Sequence, residues 1–349
     1  MYNAAITRAV QESGGSGAVV SWQPSADMSS GKIVLITMPY DQVDIVEDFL
    51  DWHLDLGIDL ILALDGGSTD GTRDVLERYA RTKRVVWFAL PERDMTKYSI
   101  ADQLAAMARD RYEADWIIYC DVDEFVCTRG KGLRTVLAES DREGITLLNL
   151  PRRTMTGPLI PPHRRATEVL TLRIDRTVVP TPEQQISWDL PVPFAFLEVG
   201  GHIALRSAAI GSFAGGMHSA TVTWGTSATS DLYILHYAIR GYEELRQKVR
   251  NTEKWLEDNP HLSLGWGWHW RRWIQLEKAG RLREDYERQF VSAARATELV
   301  ADGTCVVDTT IAAWLAARKA RRATGVRRWS GWLQQVVRVL KPARRSAAQ

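Results

Sequence analysis

The chain has 349 residues, of which 45% are hydrophobic and 25% charged, with 44 basic and 43 acidic side chains giving a formal net charge of +1. That balance is ordinary for a globular protein and excludes a largely disordered chain, while the length suits one large α/β domain or two smaller ones. Three cysteines, Cys120, Cys127 and Cys305, make no disulfide framework and show no zinc spacing, so a reducing, cytoplasmic compartment is expected.

No run of 18 apolar residues is present, and the first 30 residues lack the charged-then-apolar order of a signal peptide. The near-neutral total conceals an asymmetry. Ten of the 44 basic residues and none of the 43 acidic ones fall within 309–349, which leaves the preceding chain at a formal −9.

Residues 1–30 contain Ser13-Gly14-Gly15-Ser16-Gly17 and no sustained periodicity, which reads as a flexible leader. Ile33-Val34-Leu35-Ile36 is a β-branched run too brief for a helix, and it stops at Met38-Pro39. Val43, Val46, Phe49, Leu50, Leu54 and Leu56 then recur mainly at helical spacing, with Gly57 as the helix end. Residues 60–64 form a second strand ending at Asp65-Gly66-Gly67-Ser68, and Asp70 is placed to cap a helix carrying Val75, Leu76 and Tyr79. Val85-Val86-Trp87-Phe88 is a third strand and 98–113 a third helix. A fourth strand, 116–120, runs into Asp121-Val122-Asp123-Glu124.

Strand–helix units with continuous apolar strands predict a mostly parallel sheet covered on both faces. Ligands of such sheets sit beyond the carboxyl ends of the strands, an edge shared by Pro39, Tyr40, Asp65 and the 121–124 turn. After Gly144 the alternation loosens and prolines accumulate over 151–193. Residues 232–235 read as a further strand, 241–258 as helical and 267–299 as helical again, with no internal repeat.

Asp121, Asp123 and Glu124 crowd one turn directly after a buried strand. Unpaired, they repel and raise one another's pKa. A divalent cation removes that cost, and hard oxygen ligands suit Mn²⁺ or Mg²⁺. Alternate positions 121 and 123 can converge on one ion that bridges to a diphosphate and stabilises a charged leaving group. The plain alternative is a solvated acidic loop, and placement after a fourth parallel strand favours the metal.

Three further stretches join this turn. They are Glu47-Asp48-Phe49-Leu50-Asp51-Trp52-His53-Leu54-Asp55-Leu56-Gly57, then Asp65-Gly66-Gly67-Ser68-Thr69-Asp70-Gly71-Thr72, and His236-Tyr237 with Lys248 twelve residues on. Together the segment 32–126 resembles a family 2-type glycosyltransferase, in the group whose metal motif reads D-x-D-E-F. The resemblance implies an α/β, GT-A (nucleotide-diphospho-sugar transferase) fold with a mostly parallel central sheet and a helical C-terminal extension. Its boundaries would be a leader over 1–30, a transferase domain over 31–258, and an extension over 259–349 that is Trp-rich and then basic.

The resemblance also implies roles. Asp65 would bond the base or ribose of a nucleotide sugar, Pro39 and Tyr40 would line the base pocket, and Gln103 would lie beside the diphosphate. Asp121 would contact ribose and metal, Asp123 would ligate the metal and serve catalysis, and Glu124 would orient the loop. The family's usual Asn-Glu after the first strand is Tyr40-Asp41 here, and Gly66 stands where Asn or Asp is common.

A further metal or diphosphate ligand is expected from His218, in Gly215-Gly216-Met217-His218-Ser219, or from His236 after its apolar strand. His53 reads as a packed or surface residue, and His202, after Gly200-Gly201, has no evident partner. An inverting transferase needs a carboxylate base for the acceptor hydroxyl, and Glu198 and Asp231 are the candidates.

Two rivals share these letters. An aspartyl-nucleophile phosphatase also places D-x-D after an apolar strand, but Phe125 and three preceding strand–helix units fit it poorly. A non-catalytic carbohydrate-binding relative of the same fold is the other, opposed by Asp65, Asp121 and Asp123. P-loop, dinucleotide-binding, zinc-protease and serine-hydrolase signatures are missing from the sequence.

Trp255, Trp266, Trp268, Trp270 and Trp273 cluster within nineteen residues. They read either as core packing of a helix or, for Trp266 and Trp268, as contacts to a glycan or lipid-linked acceptor. Finally, Val326, Trp329, Trp332, Leu333, Val336, Val337 and Leu340 fall on one helical face with Arg327, Arg338 and Lys341 opposite. That pattern suits peripheral attachment to an anionic membrane at its inner face. The alternative is a terminal helix docked on the domain with a solvated basic face. Nucleic acid is not an expected partner, because the acidic body opposes it.

Overall fold

The computed structural model describes residues 31–90, 97–187, 190–214, 217–262, 265 and 267–324. The expected leader, Gly215-Gly216, Trp266 and the amphipathic 326–340 segment lie outside the described residues.

The first half alternates strand and helix as its apolar runs dictate. Its elements are β1 (Ile33–Thr37), α1 (Val46–Leu56), β2 (Leu60–Asp65), α2 (Thr72–Ala80), β3 (Val85–Ala89), α3 (Lys97–Asp110) and β4 (Trp116–Tyr119). All residues of β1, β2 and β4 are buried, as parallel strands covered on both faces must be. Alternate β1 side chains feed two cores. Ile33 and Leu35 pack with Phe49 and Leu50 of α1 on one face, while Val34 and Ile36 pack with Ile100 and Leu104 of α3 on the other. Gly57 ends α1 at φ 108°, returning its N–H to His53 O, a conformation glycine adopts without a Cβ penalty.

The chain continues through β5 (Glu124–Thr128), α4 (Leu133–Arg142), β6 (Ile145–Leu150), β7 (Arg152–Thr156), α5 (Ala166–Val169), β8 (Leu172–Ile174) and α6 (Pro182–Ser187). A 3₁₀ turn at Phe194–Phe196 leads to β9 (His202–Arg206), β10 (Ile210–Ala214), β11 (Ser219–Val222), β12 (Thr226–Thr229) and β13 (Leu232–His236). The main sheet has seven strands in the order β12-β6-β9-β4-β1-β2-β3. Within it β9 alone runs against its neighbours β4 and β6, so the sheet is mostly parallel, as expected. A second, five-stranded sheet pairs β13 with β5 antiparallel and with β7 parallel.

The last elements are α7 (Tyr242–Asp258), α8 (Trp268–Lys278), α9 (Leu282–Glu287), α10 (Ala293–Ala301), β14 (Cys305–Val307) and α11 (Thr310–Thr324). The continuous helicity expected over 267–299 is broken twice. Gly280, at φ 69°, stops α8, and Ser292 restarts α10 by accepting the Arg295 N–H.

Helix α11 is part of the body. Ile311, Trp314 and Leu315 join the core cluster of α1, and the Trp314 ring meets Trp52 at 5.3 Å. Trp314 Nε1 donates to Asp55 at 3.0 Å, and Arg318 pairs with Asp51 at 2.5 Å and Asp55 at 3.1 Å. Basic residues of α11 thus meet the acidic face of α1; the 326–340 segment, for which a docked helix was the alternative, lies outside the described residues. No described helix is long and apolar enough to cross a membrane.

Candidate active site

Strand register assembles the site at the carboxyl edge of the sheet. The pair Ile118↔Ala204, continued two residues along the antiparallel β4–β9 ladder, sets His202 opposite Cys120 and next to Asp121. Gly201 permits this entry, because a Cβ there would stand 2.1 Å from Leu150 O. In the second sheet His236 is paired with Glu124, and Tyr237 N donates to Asp123 O at 2.8 Å. A cleft of about 510 Å³ opens over this edge. Pro39, Tyr40, Asp121, Asp123, Glu198, His218, His236 and Lys248 all line it, together with Arg152 and an aromatic group from α8.

The carboxylates fall into two sets. In the first, donor atoms of Asp121, Glu124 and His202 lie within 4.8 Å of one another. His202 Nε2 stands 3.0 Å from Glu124 Oε2 and 3.8 Å from Asp121 Oδ2. It is a buried nitrogen with no hydrogen bond of acceptable geometry. Glu124 also accepts from Arg152 Nη1 at 2.7 Å and from Asp121 N at 3.2 Å. Burial opposes charge on both groups. Even so, Glu124 and Asp121 raise the His202 pKa to about 9, and His202 and Arg152 hold the Glu124 carboxyl below its usual range. The His218 ring stacks on His202 at 4.4 Å and binds Gly201 O through Nδ1 at 2.7 Å.

An imidazole nitrogen converging with two carboxylates fits a divalent transition ion, which would take the place of the proton that His202 and Glu124 share. One nitrogen in the set favours Mn²⁺ over Mg²⁺, which prefers oxygen alone.

In the second set, Asp123 Oδ2 accepts from Arg240 Nη1 at 2.8 Å and Lys248 Nζ at 3.1 Å, and its Oδ1 stands 3.8 Å from His236 Nε2. Burial would raise this carboxyl, yet Lys248, His236 and Arg240 hold it well below the ordinary range. Arg240 is itself a buried hub. Nε donates to Asp44 at 2.7 Å, and Nη2 to Gln42 at 2.7 Å and Glu244 at 2.9 Å. One guanidinium therefore ties the loop after β1, the acidic turn and α7 together. His236 is pushed down to about 4, by burial first and Arg152 next, and its Nδ1 is buried without a partner.

The two carboxylates expected on one ion thus engage different partners. Asp121 sits with Glu124 and His202, whereas Asp123 is neutralised by cations of the protein. Glu124, expected only to orient the loop, and His202, expected to lack a partner, face each other.

The remaining candidates scatter. Asp65 ends β2 fully buried, accepting from Arg73 Nη2 at 2.8 Å and Ser68 N at 3.2 Å. Its neighbours Leu64 and Gly66 line the cleft while Asp65 does not. Gln103 is half-buried on α3 and outside the cleft lining. Glu198 is exposed at the cleft.

Asp231 is placed elsewhere. It precedes β13 beside Lys131 at 3.8 Å, and the five residues of β13 carry it roughly 16 Å from the His236 end. His53 is packed, accepting the Val126 N–H on Nε2 at 3.1 Å. Arg152, Arg240 and His269 complete the site without having been singled out. The available signal for Arg240 was its place three residues after Tyr237 in the stretch that runs from His236 to Lys248.

Residues 35–157, about a third of the chain, match the model of glycosyltransferase family 92, where a family 2-type group was expected. No curated protein matches. Among solved structures, S. aureus TarS 1-349 aligns at 16% identity over 51% of this chain and 48% of its own, with a TM-score of 0.33. The mannosyltransferase PcManGT from Pyrobaculum calidifontis, in complex with GDP-Man and Mn²⁺, aligns at 13% over 97% and 91%, TM-score 0.34. Glucosyl-3-phosphoglycerate synthase from Mycobacterium tuberculosis, in complex with Mn²⁺, uridine-diphosphate and phosphoglyceric acid, aligns at 18% over 54% and 63%, TM-score 0.29. The chain spans about half the length of the first of these. The strand order and the family-model match define a domain of the GT-A fold and support a glycosyltransferase.

Proposed function

We propose that the protein is a metal-dependent glycosyltransferase that moves a sugar from a nucleoside-diphosphate donor to a glycan or lipid-linked acceptor, with a role in polysaccharide biosynthesis. The observation that carries this reading is the convergence of His202 Nε2 with the Glu124 and Asp121 carboxylates, all within 4.8 Å of one another, at the carboxyl edge of a parallel sheet. A divalent cation held by Asp121, Glu124 and His202 would supply positive charge for a departing diphosphate. Lys248 and Arg152 line the same cleft and add fixed cationic charge. Arg240 holds Asp123 and thereby the shape of the acidic turn. Pro39 and Tyr40 form the wall nearest β1 and β2, where a nucleoside base fits, and Arg73 fixes Asp65 behind them. Glu198, exposed at the cleft, would take the proton of an acceptor hydroxyl.

We further propose a cytoplasmic protein that meets the inner face of the membrane through the basic segment after Thr324. The test of the activity is a panel of nucleotide sugars given to the full chain with Mn²⁺, with Mg²⁺ and with EDTA. Metal-dependent release of a nucleoside diphosphate supports the reading. Turnover of phosphomonoesters in its place, or release of nucleoside diphosphate undiminished by EDTA, contradicts it.

A further inference from the structure

The cleft has one wall that the donor chemistry leaves unused. Phe194 stacks on His269 at 5.1 Å, and His269 in turn meets Trp268 at 5.6 Å and Trp270 at 5.3 Å; all four line the cleft. Trp268 and Trp270 pack against the cluster of Phe194 and Trp273 yet stay half-buried, as does His269, so part of each ring is left facing the cleft. Behind them Trp273 is buried, with Trp270 edge-on at 5.2 Å.

A hydrogen-bond chain locks this wall in place. Trp273 Nε1 donates to Asp285 at 2.9 Å, and Arg272 clamps the same carboxylate at 2.8 and 2.5 Å. Gln289 donates to Asp285 O at 2.9 Å and accepts the Ala195 N–H at 2.9 Å, one residue from Phe194. Asp285 and Gln289 are buried. Helix α8 and the Phe194 turn are thus held in register before any ligand arrives, which lowers the cost of binding.

We propose that this aromatic wall is the subsite for a pyranose ring of a glycan acceptor, a reading that rests on the glycosyltransferase assignment. A sugar ring offers an apolar face to an aromatic and hydroxyls at its edge. The same cleft supplies hydrogen-bonding groups to meet those hydroxyls in Glu198, Asn251 and His218. A polyprenyl chain needs an unbroken apolar surface, which this mixed lining does not present. Burial, and then Arg152, lower the His269 pKa, so it offers a neutral imidazole to a hydroxyl. The wall stands in one cleft with Asp121, as an acceptor must to reach the donor.

The test uses the full chain on an array of soluble oligosaccharides, with titration of the best-bound glycan into the unaltered protein, Trp270→Ala and Trp270→Phe. Affinity falls at least ~10-fold in Trp270→Ala and stays within about 3-fold in Trp270→Phe, while Mn²⁺ affinity is equal in all three. The proposal is overturned if Trp270→Ala binds as the unaltered chain does, if no glycan on the array binds, or if Trp270→Ala lowers binding to vesicles carrying undecaprenyl phosphate but not to any glycan. Failure of the glycosyltransferase reading is distinguishable from these. Nucleotide sugars would then go unturned while Trp270-dependent glycan binding persists, and that binding still supports the subsite.

Discussion

Arg240→Met removes the guanidinium that joins Asp44, Gln42, Asp123 and Glu244 while keeping a side chain of similar length. The Arg240 side chain is 2% exposed, against 11% for Asp123, 15% for Glu244 and 40% for Asp44. The Asp44 pair is screened and contributes little. The two buried pairs decide the outcome, since removing one partner of a buried ion pair costs about 3–5 kcal/mol. Lys248 remains 3.1 Å from Asp123 and 2.7 Å from Glu244, so the expected loss lies at the lower end of that range. For a domain of this size ~3 kcal/mol lowers Tm by about 6 °C, readable by scanning calorimetry. If the cost is the stranded Asp123 carboxylate, adding Asp123→Asn to Arg240→Met restores at least ~1 kcal/mol. A Tm unchanged by Arg240→Met, or a double variant no more stable than the single one, refutes the hub.

Other consequences follow for the tail, the nucleoside end and the acidic turn. Ending the chain at Asp308 strips Ile311, Trp314 and Leu315 from the core, each worth about 1.5–3 kcal/mol, so that protein unfolds at least in part, seen as lost cooperativity in calorimetry. Ending it at Thr324 leaves Tm unchanged but abolishes co-sedimentation with phosphatidylglycerol vesicles; persistent sedimentation would remove the peripheral anchor. Asp65→Asn loosens Arg73 and raises the donor Michaelis constant by ~10-fold, and an unchanged constant moves the nucleoside site away from β2. Asp123→Asn lowers donor turnover through a disordered turn, so adding excess Mn²⁺ does not restore it; full recovery by Mn²⁺ would make Asp123 a ligand instead.

The parallel half of the fold was legible because buried parallel strands are continuous apolar runs, as Ile33–Thr37 and Leu60–Asp65 are. Their carboxyl edge was legible for the same reason: Pro39, Tyr40 and Asp121, expected along it, line the cleft, whereas Asp65, expected with them, does not. What pairing across long sequence distance decides was not legible. His202 found no partner in the sequence because β9 inserts antiparallel between β4 and β6, and only that register sets it beside Asp121 and Glu124. Asp231 and His236 flank one apolar run equally, and only the pairing of β13 with β5 and β7 shows which end faces the cleft. Likewise the tryptophan cluster carried two readings, and the packing of α8 on the Phe194 turn shows both at once: Trp273 is buried in the core, while Trp268 and Trp270 pack on that core and stay half-buried at the cleft.

The most direct measurement of the central claim is Mn²⁺ titration of the full chain by electron paramagnetic resonance, alongside His202→Ala and Asp123→Asn. One saturable Mn²⁺ site is expected in the unaltered protein, weakened by ~100-fold in His202→Ala and by no more than about 10-fold in Asp123→Asn. No saturable site in the unaltered protein, or equal affinity in His202→Ala, would contradict a metal held by Asp121, Glu124 and His202.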